Sequence, residues 1–181
     1  MQEFLAHGYT DTSMDRIAAA AGVSKATIYS HFQDKADLFT AIIQRLAEHK
    51  FSTFFDPRDA HALQGEPRLV LRQLTGKMYE QALQDTQFCE FMRLIIGESG
   101  RFPELAKPYI ENIAKPFIQA LSAYLESRHE LRLKDPEATA RTLMGTMIYF
   151  IMLQEMLHGR EMLPMSPERM VDNLIDLIVP K

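Results

Sequence analysis

The apolar positions of this chain recur every three to four residues from end to end, and nowhere alternate in the two-residue rhythm of a strand. Residues 1–8 read as the tail of a first helix, with Phe4 and Leu5 facing inward and Gly8 ending it. Met14, Ile17, Ala18 and Ala21 form the stripe of a second, short helix. Gly22 stops it where a left-handed backbone is tolerated, and Val23 is expected to plug the corner. Ile28 and Phe32 are the apolar side of a third helix. Asp34 caps a fourth and Asp37 favours its start; Leu38, Phe39, Ile42, Ile43 and Leu46 face inward, and it is expected to reach about Phe55, where Asp56-Pro57 ends it. A loop follows to Pro67. Residues 68–87 are amphipathic through Leu71, Leu74, Met78 and Leu83, and residues 88–98 carry a dense apolar set. Gly97, Gly100 and Pro103 mark a break. Residues 104–129 are helical again, with Pro116 expected to free the carbonyl of Asn112 and bend the helix. Asp135-Pro136 and Ser166-Pro167 are start signals for helices over about 136–158 and 167–179. The pattern predicts an all-α protein.

One stretch departs from plain amphipathic packing: Thr12–Lys35, TSMDRIAAAAGVSKATIYSHFQDK, two short helices joined by a tight turn. Thr12 or Ser13 supplies the oxygen that caps the first, and Thr12-x-x-Asp15 has capping-box-like spacing. Ser24 is a natural cap for the second. Opposite Ile28 and Phe32, that helix carries Lys25, Thr27, Tyr29, Ser30 and His31, all able to donate hydrogen bonds. A short helix with such a face suits a DNA major groove, although an ordinary helical hairpin with a polar outer face has the same periodicity.

The 36 residues from Gly8 to Ile43, GYTDTSMDRIAAAAGVSKATIYSHFQDKADLFTAII, run without a gap and closely resemble the DNA-binding segment of TetR-type transcriptional regulators. The later segment RLIIGESGRFPELAKPYIE resembles the C-terminal domain of the AefR-like subgroup, most of all in Gly97-Glu98 and in Arg101 to Leu105. The resemblance implies an N-terminal three-helix helix-turn-helix domain, residues 1–50, and a C-terminal helical ligand-binding and dimerisation domain, residues 51–181. The family's first helix begins several turns earlier, so the first helix here reads as truncated. By position, Lys25, Ala26, Thr27 and Tyr29 would face the groove, while Thr12, Ser13, Ser24, Tyr29, His31 and Lys35 would clamp phosphates. Lys25 could read a guanine edge and the Thr27 methyl could touch thymine. His31 has a second reading as a helix-end residue bonding a nearby carbonyl.

Charge and composition qualify this reading. The net charge is −4, and residues 1–50 hold five basic residues (Arg16, Lys25, Lys35, Arg45, Lys50) against six acidic ones (Glu3, Asp11, Asp15, Asp34, Asp37, Glu48). A non-specific polycation is excluded; DNA contact would rest on helix N-termini, hydroxyls and a few placed cations. The longest apolar run, in Met144–Leu153, is too short to span a bilayer, and no membrane partner is expected. The opening residues lack the basic-then-apolar pattern of a secretion signal, and the single cysteine, Cys89, rules out an intramolecular disulfide framework, so a cytoplasmic location is expected. Cys89, between Phe88 and Phe91, reads as a small core residue rather than a redox sensor.

Eleven methionines are a generous number, and several cluster at 144–156 with Tyr149 and Phe150. Most such residues are core. The resemblance also implies a pocket for a small hydrophobic or amphipathic effector, for which the candidates are Met78, Phe88, Phe91, Met92, Ile95, Tyr109, Ile113, Phe117, Met147, Phe150, Ile151 and Gln154. The last two helices are the expected homodimer interface, through Leu143, Ile148, Met170, Leu174, Ile175 and Ile178. The expected partners are therefore double-stranded operator DNA, the effector and a second copy. The six histidines are scattered and no set has metal-ligand spacing, so no catalytic group, metal or cofactor is expected. The rival reading is a helical dimeric interaction module without sequence-specific DNA binding. Sequence-selective, salt-sensitive binding discriminates the two.

Overall fold

The computed structural model describes the backbone of residues 1–53 and 63–179, and the side chains of 1–49 and 63–179. Every regular element among them is helical: α1 (Gln2–His7), α2 (Met14–Ala20), α3 (Lys25–His31), α4 (Lys35–Thr53), α5 (Pro67–Gln84), α6 (Thr86–Glu98), α7 (Ala106–Tyr109), α8 (Lys115–Glu126), α9 (Pro136–Ile151) and α10 (Pro167–Ile178). The expected end of α4 near Phe55 and the start of the loop after it lie outside the described residues. No described helix is long and apolar enough to cross a membrane.

The helix starts follow from local chemistry. Asp34 caps α4 by accepting the N–H of Asp37 at 2.8 Å, while Asp37 accepts that of Gln33, the residue before the cap, at 3.0 Å. Asp135 and Ser166 accept the N–H groups of Ala138 and Arg169, each with proline at the first helical position behind it. Pro116 is accommodated by a wider turn: Ile110–Ala114 is a π-helical segment, which carries the chain from α7 into α8. A second π segment, Met152–Met156, ends α9. Beyond it the backbone doubles back so closely that a Cβ on Gly159 would stand 2.6 Å from the Leu153 carbonyl oxygen, which is why only glycine fits there.

The chain forms two compact units: Met1–His49 with Gln87–Ile113, and Lys50–Thr86 with Ala114–Lys181. The first is built on an aromatic cluster. Phe39 meets Phe4 and Tyr9 edge-on, at 5.3 and 5.5 Å between ring centroids, and Phe91 in a tilted pair at 5.0 Å, and Phe102 reaches Tyr9 at 5.2 Å. Each such pair contributes about 0.5–1.5 kcal/mol beyond its buried area. Sequence reasoning places 87–113 in the second domain, whereas the structure packs Phe91, Ile95 and Leu105 into this first core. The physical reason is size. Fewer than 50 residues bury too little apolar surface to hold three short helices, so the chain borrows α6 and the segment after it.

In the second unit α8 packs on α9, and α5 on both α9 and α10. Leu71, Leu121, Leu125, Leu143, Met147 and Ile175 are fully buried there. Arg68 and Arg72 of α5 pair with Asp176 and Asp172 of α10, each at 2.5 Å.

Candidate nucleic-acid interface

Of the two possible caps for α2, Ser13 is the one used: its hydroxyl accepts the N–H of Arg16 at 3.2 Å. Asp15 does not close a capping box but accepts from Lys25 Nζ at 2.8 Å, joining α2 to the first residue of α3. That bond and the aspartate's charge raise the Lys25 pKa. Gly22, at φ +67°, makes the turn. Val23 donates its N–H to Ala18 but leaves its side chain 41% exposed, so it does not plug the corner. Ser24 Oγ accepts the N–H of Thr27 at 3.0 Å and lies 2.8 Å from its hydroxyl.

The seven residues of α3 bury a single side chain, Ile28, which with partly buried Phe32 pins the helix to the aromatic core. Lys25, Ala26, Thr27, Tyr29, Ser30 and His31 are exposed, as are Ser13 and Ser24. A seven-residue helix is unstable alone, so this one exists because its neighbours hold it, and its polar face does little for folding. Ser30, on the same exposed face, donates its hydroxyl to the Thr27 carbonyl of its own helix at 2.7 Å.

Two expected phosphate clamps are placed differently. Thr12 is buried, and its hydroxyl donates to the carbonyls of Gly8 (2.7 Å) and Glu3 (3.0 Å). Lys35 Nζ donates to the carbonyls of Tyr9 (2.5 Å), Thr10 (3.2 Å) and Thr12 (2.8 Å) and stands 4.3 Å from the centre of the Tyr9 ring. Burial lowers its pKa, against the opposing charges of Asp11 and Glu98. Both side chains are occupied inside the unit.

The twelve effector candidates divide between the two cores. Phe91, Met92, Ile95, Tyr109 and Ile113 pack in the first, and Met78, Phe117 and Met147 in the second. Phe88 is half-buried on α6 and Ile151 half-buried at the end of α9. Phe150 and Gln154 line an open apolar cleft of about 530 Å³ with Gly145, Tyr149, Leu153, Leu163, Met165 and Met170. Gln154 is buried at the π segment and donates to the Leu163 carbonyl at 2.8 Å. Beside it Tyr79 donates to Glu155 at 2.6 Å, and Arg160 Nη2 reaches both oxygens of that carboxylate at 2.6 Å. Burial, then the bond to Glu155, push the Tyr79 phenol up to about 12.

The dimer candidates also meet a different environment. Leu143, Leu174, Ile175 and Ile178 are buried in the core of their own unit, and Met170 is partly buried against it. Of the six, Ile148 alone is exposed. The apolar seam of α10 is real, but it seals against α5 in the core of its own unit.

The comparisons with known proteins agree with the architecture. Residues 1–42 match the family model described as bacterial regulatory proteins, tetR family, and residues 70–179 match the AefR-like transcriptional repressor, C-terminal domain. The chain is 28% identical to the HTH-type transcriptional repressor BepR of Brucella suis over 168 residues, covering 88% of this chain and 78% of that one. It is 32% identical to the HTH-type transcriptional regulator AcrR of Shigella flexneri over 103 residues, 57% of this chain and 47% of that protein. A TetR-family regulator from Mesorhizobium loti superposes with a TM-score of 0.77 at 25% identity, covering 98% of this chain and 89% of the other. FadR of Bacillus subtilis, solved in complex with stearoyl-CoA, superposes at 0.73 with 18% identity, covering 99% and 93%. The C-terminal match alone spans more than half of the sequence, and the exposed α3 lies within the N-terminal match. The chain belongs to the TetR family of transcriptional regulators, which are helix-turn-helix DNA-binding proteins and not enzymes.

Proposed function

We propose that this protein is an effector-responsive repressor that binds palindromic operator DNA as a homodimer, with α3 in the major groove. The observation that carries the reading is α3 itself, a helix that exposes six of its seven residues, five of them hydrogen-bond donors. Lys25, Ala26, Thr27 and Tyr29 read base edges, while Ser13, Ser24, Tyr29 and His31 contact phosphates. The Lys25–Asp15 pair is exposed, and an exposed pair exchanges readily for another partner. A two-fold dimer places two copies of α3 about 34 Å apart, or a multiple of that, to meet successive grooves.

The homodimer would use the outward sides of α9 and α10, where Ile148, Tyr149 and Leu177 are exposed. The effector is hydrophobic or amphipathic. The apolar cleft at Phe150 and Gln154 supports this, as does the long acyl thioester held by the Bacillus subtilis neighbour. Such a ligand releases DNA only by favouring one half-site spacing over the other. Selection of sites from random duplex DNA tests the reading. Recovery of a palindrome with half-sites about one turn apart is expected. Absence of enrichment at low salt would overturn it.

A further inference from the structure

We infer that Lys35 and Thr12 are positioning residues for operator binding and not phosphate ligands: together they gather the carbonyls of the α1–α2 turn into one knot that sets where α2 begins. The inference rests on the operator-binding reading for its consequence, while the knot itself rests on geometry.

The turn between α1 and α2 leaves its carbonyls without helical partners. Thr12 Oγ1 takes that of Gly8 at 2.7 Å and lies 3.0 Å from the Glu3 carbonyl inside α1, and Lys35 Nζ takes those of Tyr9, Thr10 and Thr12. An ammonium has three N–H groups, and here three carbonyls accept them. The Tyr9 ring covers the same nitrogen, and Asp11 and Glu98 lie close enough to act on its charge. A phosphate entering that place would have to displace carbonyls already bonded and would meet two carboxylates. Ser13, which caps α2, follows Thr12 directly. The knot therefore holds the first phosphate-contacting residue of the hairpin by its neighbour.

The test is operator affinity against salt, measured by fluorescence anisotropy on the selected duplex. Lys35→Met is expected to weaken binding about tenfold or more at every salt concentration while leaving the slope of log K against log salt at the wild-type value. Lys35→Arg should fail to restore affinity, because a planar fork cannot converge on three carbonyls of one turn. A Lys35→Met slope lowered by about one, with full rescue by arginine, is the signature of a phosphate contact and overturns the inference. Thr12→Val changes no charge and should weaken binding with the slope again unchanged; wild-type affinity would remove Thr12 from the knot. Should Lys35→Met fail to fold, or the wild type bind no duplex, acylation rates of the wild-type lysines decide without DNA. Lys35 is expected to react at least about tenfold more slowly than exposed Lys25, and equal rates overturn the knot. Loss of all DNA binding with a protected Lys35 would sink the operator reading alone.

Discussion

α3 and α10 are both short amphipathic helices started by a serine cap, yet they spend their residues differently. α10 buries Val171, Leu174, Ile175 and Ile178 in its own unit, so its apolar side is consumed by folding. α3 buries Ile28 and leaves the rest of its length to solvent. A helix that folding needs only at one point has side chains left for a partner, and the polarity of those side chains says which partner. A helix that folding needs along a whole face says nothing of its partners through that face. This is why the exposed polar face of α3 could be listed from the sequence, and why four of the six dimer candidates belong to the interior.

The largest effect expected from breaking the comparison is Leu174→Glu. A carboxylate placed in that core costs roughly 4 kcal/mol or more, so the variant should lose its cooperative melt by circular dichroism instead of merely splitting a dimer. Leu177→Glu, three residues on and 78% exposed, should melt like the wild type. On the proposed homodimer it should sediment as a monomer, and a variant that still sediments as a dimer would exclude that side of α10 from the interface. Gly159→Ala comes next. Its Cβ meets a backbone carbonyl that cannot rotate away, and a loss of about 1–3 kcal/mol is expected from thermal denaturation. The two serine caps sharpen the contrast directly. Ser24→Ala and Ser166→Ala should each cost about 1 kcal/mol of stability, but only Ser24→Ala should also weaken operator binding.

The smallest effect is a titration. Tyr79 has its folded pKa raised from 10.0 to about 12, so the folded state keeps a proton that the unfolded state loses first. The stability this adds is fully present below pH 10 and is lost as pH rises through the folded value. Burial also raises Tyr9, Tyr109 and Tyr124, so the phenolate absorbance of the native protein should show several late-titrating tyrosines, one of which Tyr79→Phe removes.

Helix existence was legible throughout, because caps and period are local. Asp34, Asp135 and Ser166 cap the helices their positions announce, and Gly22 turns the hairpin at positive φ. Val23 was misread because nothing local says whether a corner residue meets another element. Nothing local announces the partners of Thr12 and Lys35 either. A threonine at a helix start and a lysine after a cap carry the right chemistry for phosphate, and only the folded turn shows carbonyls from Glu3 to Thr12 already converging on them.

The effector candidates mark the same limit. Phe91 and Ile95 have the composition of a pocket lining, but a small helical domain needs their surface to complete its own core, and they are spent there. Periodicity and capping along 181 residues determined the helices, the all-α class and the polar face of α3. Tertiary packing alone decided which apolar faces remained for ligand or partner, because burial depends on residues distant in the chain, and a side chain in a core is no longer available outside it.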